Sequence, residues 1–286
     1  MALTLLSEHA CFGGVQRFYQ HHAPAIGLPM RFGVYLPPQA KQGPVPAVMV
    51  LAGLTCNEET FAIKAGAQRV AAQLGLAIVT PDTSPRGAQV PGEADRWDFG
   101  LAAGFYLDAT QPPWSTHWRM ESYLLQDLLP TVNQALPVQP GRWGVMGHSM
   151  GGHGALTLAL RHPDRFASLS ALAPICAPTE CPWGQRAFAG YLGDDRAAWA
   201  AHDASVLMRE RGCALSVPTI LIDQGLGDQF LAEQLHPERF EQACAQVGQP
   251  LMLRRHAGSD HGYYFIASVV EDHLHHHAQR LVAQVS

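Results

Sequence analysis

Hydrophobic and polar residues alternate along the first forty positions. Val15 to His22 and Met30 to Leu36 carry β-formers on either side of the turn-prone segment Pro24-Ala25-Ile26-Gly27. This pattern predicts two antiparallel strands, the second stopped by Pro37-Pro38. From Pro46 the rhythm changes. Val48-Met49-Val50-Leu51 is wholly apolar, as a strand covered on both faces should be. A helical pattern over Glu58 to Leu74 and a further apolar strand, Leu76 to Thr80, follow it. Residues Asp82 to His117 are rich in Pro, Gly, Trp and Asp and show no clean period. Irregular segments of that length inside a compact fold usually carry function.

Downstream, strands and helices alternate. The pattern predicts a helix over Met120 to Leu136, disturbed by Pro130, then strand Gly141 to Met146, helix Met150 to Arg161 and strand Phe166 to Leu172. Strand Pro218 to Asp223, a helix near Pro237 to Val247 and strand Leu251 to Arg255 come next. Ile266, Val270, Leu274, Leu281 and Val285 then recur at helical spacing and predict a C-terminal helix. His273, His275, His276 and His277 fall within it and are expected on its solvated face rather than in a metal-binding tract. Strands separated by helices imply right-handed crossovers. The expected fold is therefore α/β: a mainly parallel central sheet with antiparallel N-terminal strands and helices on both faces. No repeat or linker interrupts residues 1–286, which read as one domain.

Composition narrows the function classes. At 286 residues and 47% hydrophobic, the chain can bury one large core. The formal net charge is -5 without any basic run, which argues against a nucleic-acid partner. No apolar stretch approaches membrane-spanning length, and the N-terminus lacks the charged and apolar regions of a secretory signal. Cys11, Cys56, Cys176, Cys181, Cys213 and Cys244 show no paired spacing. They read as reduced, mostly buried thiols of a cytoplasmic protein, with no metal site expected.

The strongest chemical signal is Gly147-His148-Ser149-Met150-Gly151, a Gly-x-Ser-x-Gly pattern. The apolar strand before it and the small-residue helix after it make a sharp strand-to-helix turn. Glycines flank the serine because side chains there would collide across the turn. A serine hydroxyl needs a base, and the base needs an orienting acid. Asp228, in the glycine-flanked loop after Ile222, is the favoured acid, with Asp223 at the strand end in reserve. His261, just before the last helix, is the favoured base over His256. Asp260 adjoins His261 in sequence, and adjacent side chains diverge. The oxyanion donors are expected to be the N–H groups of Met150 and, in the loop after Leu51, Leu54.

Several longer blocks resemble one family. Gly53-Leu-Thr-Cys56, Ser84-Pro-Arg-Gly87, Gly104-Phe-Tyr-Leu-Asp-Ala-Thr110, the extended elbow Gly147 to Ala155, Cys181-Pro-Trp-Gly-Gln185 and Asp260-His-Gly-Tyr-Tyr-Phe265 are similar to those of the S-formylglutathione hydrolase, or esterase D, family. The likeness runs from Phe12 to the final helix. It implies an α/β-hydrolase fold, a Ser149–Asp228–His261 triad and hydrolysis of S-formylglutathione to formate and glutathione. It also implies a cytoplasmic, homodimeric enzyme of formaldehyde detoxification that needs no cofactor. Two departures are Arg186, where the family often has Lys, and Gly262, where Ser is usual after the histidine.

Three further residues are candidates for the substrate pocket. Cys56 lies two residues past Leu54 and reads equally as a pocket thiol or a structural one. Trp183 is a candidate wall of the glutathione site. Arg186, with Lys64 and Arg86, is a candidate partner of the glutathione carboxylates. Two other readings compete: a broad carboxylesterase with the same triad, and a catalytically silent scaffold of the same fold.

Overall fold

The computed structural model describes residues 3–141, 143–211 and 219–282. Arg142, Cys213, Pro218 and Val285, which figure in the sequence reading, lie outside the described residues. One nine-stranded sheet runs in the order β1-β2-β3-β5-β4-β6-β7-β8-β9. Strands β1 (Thr4–Cys11), β2 (Gly14–Ala23) and β3 (Leu28–Leu36) are antiparallel, and β3 meets β5 (Ala77–Pro81) antiparallel too. From β5 onward the sheet is parallel through β4 (Ala47–Leu51), β6 (Trp143–His148), β7 (Phe166–Leu172), β8 (Ile220–Gly225) and β9 (Leu251–His256). The expected mixed sheet is present.

Helices cover both faces. On one side α1 (Thr60–Lys64), α2 (Gln68–Leu74) and the long C-terminal α10 (Tyr263–Leu281) pack on Val48, Val50, Ile78 and Met146. The other face carries α3 (Met120–Ser122), α4 (Leu129–Ala135), α5 (Met150–Arg161), α6 (Pro182–Leu192), α7 (Arg196–Ala200), α8 (Ala204–Arg211) and α9 (Pro237–Val247). Residues alternate between the two cores along β4: Val48 and Val50 face one, Met49 and Leu51 the other. That double coverage is why β4 reads as a continuous apolar run.

The structure departs from the sequence pattern in five places. Strand β1 escapes a pattern search because it lies at the sheet edge with its residues mostly exposed, so no buried face marks it. The helix expected over 58–74 is two helices, separated where Gly66 adopts φ +69. Between α3 and α4, residues Tyr123–Leu128 form a π-helix just ahead of Pro130. Proline has no N–H for the carbonyl four residues back, and a wider turn re-registers the hydrogen bonds. Helices α6 to α8 fill the stretch between β7 and β8, which the pattern left unassigned.

The fifth departure is the C-terminal histidines. His273 and His277 have no exposure, His276 is partly buried and only His275 is exposed. His277 Nδ1 meets Ser168 Oγ at 2.6 Å and its Nε2 meets Ser170 Oγ at 2.9 Å. His273 Nδ1 meets the same Ser170 hydroxyl at 2.8 Å, and its Nε2 meets Asp223 Oδ2 at 3.1 Å. Polar side chains on the inner face of α10 are thus matched to hydroxyls on β7 and a carboxylate on β8. A helix wheel cannot see that pairing, because it depends on which strands lie beneath.

Burial disfavours the imidazolium form of several histidines. His21 and His202 are pushed down to about 4 and His153 to about 3, while His148 and His277 lie well below the usual range. The unfolded chain binds protons at these sites near pH 6.5, and the folded chain does not. Each then contributes stability that is complete above about pH 6.5 and falls by up to about 1.4 kcal/mol per pH unit until its folded value is reached. Urea unfolding midpoints should accordingly be flat from pH 8 to 7 and drop steeply between pH 6.5 and 4. A midpoint unchanged at pH 5 would show that these imidazoles are already charged in the fold.

Candidate active site

Strand β6 ends at His148 and α5 begins at Met150, so one residue makes the turn between them. That residue, Ser149, has φ 56 and ψ -118, a region L-residues rarely occupy. The flanking glycines explain why the turn can be so tight. A Cβ on Gly147 would lie 2.0 Å from the Gly151 carbonyl oxygen, and one on Gly151 would lie 2.0 Å from that of Leu51. Hydrogen bonds pin the serine backbone. Its N–H donates to Leu172 O at 2.9 Å, and its carbonyl accepts from His153 at 3.0 Å and Ile175 at 3.2 Å.

The favoured acid and base come together. His261 Nδ1 lies 2.5 Å from Asp228 Oδ2, with the Asp228 side chain fully buried and that of His261 15% exposed. Two more donors hold the carboxylate: Phe230 N–H reaches Oδ1 at 2.8 Å, and Gln224 Nε2 reaches Oδ2 at 3.2 Å. With Nδ1–H directed at Asp228, the lone pair of His261 is on Nε2. The ring is packed edge-on by Phe230 (centroids 5.0 Å apart) and flanked by His148 at 4.6 Å.

The reserve candidates have other work. Asp223, without exposure on β8, takes the Arg254 guanidinium on both oxygens as well as His256 at 3.0 Å and His273 at 3.1 Å. Those partners outweigh its desolvation and hold its carboxyl far below the usual carboxylate range. His256 is committed to Asp223 rather than to the serine side. Asp260 turns back to accept the Gly262 N–H at 2.9 Å.

The loop after β4 approaches the serine closely, since a Cβ on Gly53 would sit 3.2 Å from Ser149 Cβ. The next N–H, of Leu54, donates no hydrogen bond among the described residues. Met150 holds the first position of α5, where an N–H has no acceptor within the helix. The loop is braced from several directions. Tyr106 Oη donates to Ala52 O at 2.8 Å and Thr55 N–H to Ala102 O at 3.0 Å. Thr83 Oγ1 and Arg86 Nη2 both donate to Cys56 O, at 2.6 and 3.2 Å. Phe105 and Tyr106 themselves take positive φ, 49 and 53, to present that phenol.

The pocket candidates separate. Cys56 is partly buried beside Thr60, Tyr263 and Lys64, and burial pushes its thiol up. Trp183 is buried and reaches the site through an aromatic chain, packing at a tilt against Phe230 at 4.8 Å, which in turn contacts His261. Arg186 is paired with Asp98, whose other oxygen takes Arg96, so its charge is already matched. Lys64 lies over the Tyr263 ring at 5.7 Å. Sequence reasoning missed Gln224, Tyr106 and His148. Tyr106 and His148 had a signal, each lying inside a block of family resemblance; Gln224 had none. Among the described residues no group of three or more His, Cys, Asp or Glu is placed to hold a metal ion.

Comparison with known proteins places the chain in a family. The family model for Esterase, described as "Putative esterase", matches residues 23–276. S-formylglutathione hydrolase from Mus musculus is 48% identical over 99% of this chain and 100% of its own length, and that from Bos taurus is likewise 48% identical over 99% and 100%. Among solved structures, an S-formylglutathione hydrolase from Agrobacterium tumefaciens superposes with a TM-score of 0.93 at 45% identity, covering 97% of this chain and 99% of that one. The chain has the α/β-hydrolase fold and belongs to the esterase family that includes these S-formylglutathione hydrolases.

Proposed function

We propose that this protein hydrolyses S-formylglutathione to formate and glutathione, with Ser149 as nucleophile, His261 as base and Asp228 as the acid that orients it. The observation carrying this reading is the 2.5 Å contact of His261 Nδ1 with a fully buried Asp228 carboxylate, the His261 ring lying 4.6 Å from that of His148, which immediately precedes a serine held at φ 56. The names of relatives 48% identical over nearly the whole chain supply the substrate.

The chemistry follows from those roles. His261 Nε2 takes the hydroxyl proton as Ser149 Oγ attacks the thioester carbonyl. The Leu54 and Met150 N–H groups receive the developing oxyanion. Collapse of the tetrahedral intermediate breaks the carbon–sulfur bond and leaves formyl-Ser149. Glutathione departs as the thiol, its sulfur taking the proton from His261, which is thereby neutral again; a thiolate is a better leaving group than an amide anion and needs less of this help. Water, deprotonated by His261, then attacks the formyl ester, releasing formate and restoring the serine hydroxyl. Asp228 remains ionised throughout and stabilises the transient imidazolium. A formyl carbon bears only hydrogen beyond the carbonyl. The close approach of Gly53 to Ser149 suits so small an acyl group.

Three measurements follow. Ser149→Ala should abolish covalent labelling by a fluorophosphonate probe; unlabelled wild-type protein would revive the non-catalytic scaffold. Asp228→Asn should lower kcat about 10⁴-fold by turning the imidazole to the wrong tautomer. Asp223→Asn should instead act on thermal stability, and a comparable kcat loss there would reverse the assignment of the two acids. On the wild type, S-formylglutathione should exceed short nitrophenyl esters in kcat/KM by more than about 10²-fold. Equal or faster ester turnover would favour the broad carboxylesterase.

A further inference from the structure

A cleft of about 500 Å³ opens beside the oxyanion loop, between the β2–β3 hairpin and the segments that follow β4 and β5. Gln20, Arg31, Asn57, Glu58, Asp82 and Arg86 line it. Two of its four charges satisfy each other: Asp82 takes Arg86 through Nε at 3.0 Å and Nη2 at 2.7 Å. Glu58 is different. Its side chain is within the cleft wall with 3% of the residue exposed, and its carboxyl has no partner side chain among the described residues. Burial and the negative charges of Asp82 and Glu59 push its carboxyl up, its own backbone N–H partly offsets them, and Arg31 is the one cation acting on it. A buried carboxyl in that setting is short of one cation. Arg31 is exposed and in no ion pair among the described residues, leaving its guanidinium fork open to an anion.

The cleft therefore presents an acid and a base that are complementary to a zwitterionic head, an ammonium and a carboxylate on one carbon. Its position relative to Ser149 follows from the sheet. Val79 of β5 and Val145 of β6 both lie level with Met49 of β4. Asp82 and Ser149 thus stand three and four residues beyond one level, on the same edge of the sheet, with β4 between them. Two strand spacings are roughly 10 Å, and β3, which carries Arg31, lies one spacing further out beyond β5. In extended glutathione the sulfur and the γ-glutamyl α-carbon are separated by roughly 8–10 Å, about three residue lengths.

We infer that this cleft binds the γ-glutamyl end of the glutathione leaving group, with the α-ammonium on Glu58 and the α-carboxylate on Arg31. The inference rests on S-formylglutathione being the substrate. It assigns the glutathione-recognising charges to neither Arg86 nor Arg186, both of which are already paired with aspartates. The loop Gly53 to Glu58 then has two ends with two duties: one faces the reacting carbonyl, the other holds the far end of the thiol.

The test compares kcat/KM for S-formylglutathione with that for its α-N-acetyl derivative, which keeps the thioester and loses the ammonium. Wild-type enzyme should prefer the free ammonium by about tenfold or more, mostly through KM, as expected for one charge-assisted contact. Glu58→Gln, which keeps shape and removes charge, should bring that ratio near one. Arg31→Ala should do the same for the derivative amidated at the γ-glutamyl α-carboxylate. A wild-type ratio near one, or a Glu58→Gln ratio equal to wild type, overturns the site while leaving the substrate intact. If the wild type does not turn over S-formylglutathione at all, the substrate reading falls and the site falls with it. The wild-type ratio alone decides the matter if either variant fails to fold.

Discussion

Where α5 crosses the end of the sheet, backbone meets backbone at distances that admit no side chain. A Cβ on Gly151 would overlap the Leu51 carbonyl of β4, and one on Gly147 would overlap the carbonyl of Gly151. This contact fixes the start of α5 against two neighbouring strands at once. It brings the loop leaving β4 next to the serine leaving β6, so the expected oxyanion donor and nucleophile are set by one packing constraint. The positive φ of Ser149 costs about 1–3 kcal/mol. That strain persists because every residue of α5 from Met150 to Leu160 is buried, and the helix has no room to relax. Small residues dominate the helix for the same reason: a Cβ on Gly154 would meet the Tyr106 ring at 2.5 Å, and Tyr106 in turn holds Ala52.

The two acids near the end of β8 show how position on a strand decides chemistry. Asp223 is still within the strand, and its side chain points to α10 and β9, where Arg254, His256 and His273 converge. Every acceptor site is used to tie β8 to its neighbours. Asp228 lies beyond the strand, held by the Phe230 amide and by Gln224, with the rest of its capacity given to His261. Gln224 is the residue between these two roles. It follows Asp223 directly, so the pleat turns it the other way and toward Asp228. Removing one partner from the Asp223 cluster leaves a buried uncompensated charge, whereas the Asp228 cluster loses an orientation.

Much of this was legible in the sequence, for identifiable reasons. The parallel strands are buried on both faces and announce themselves as apolar runs. The elbow does so because steric exclusion demands glycine at fixed offsets. The order expected for nucleophile, acid and base follows from strand order, since residues at the carboxyl ends of successive parallel strands collect on one edge. What the sequence concealed depends on partners remote along the chain. Exposed β1 has no apolar face to read, and the histidines of α10 look like a polar stripe until Ser168, Ser170 and Asp223 are placed beneath them. Tyr106 and Gln224 are likewise defined by acceptors, Ala52 and Asp228, that no local pattern links to them.

The segment from Gly53 to Glu58 is where these separate constraints meet. Its carbonyls are held by Tyr106 at Ala52, just before the segment, and by Thr83 and Arg86 at Cys56. Asp82 orients Arg86, so a salt bridge on the cleft wall also sets the height of the oxyanion loop. Breaking that bridge removes the partner that orients Arg86 on the Cys56 carbonyl. Glu58 and Arg31 stand outside the brace: neither donates to the loop carbonyls, and neither is ion-paired to Asp82 or Arg86. Charge changes at those two positions therefore leave the loop's hydrogen bonds in place. On the proposed reading, the groups that would recognise the distant end of a substrate, Glu58 at the end of this segment and Arg31 on β3, are distinct from those that brace its carbonyls.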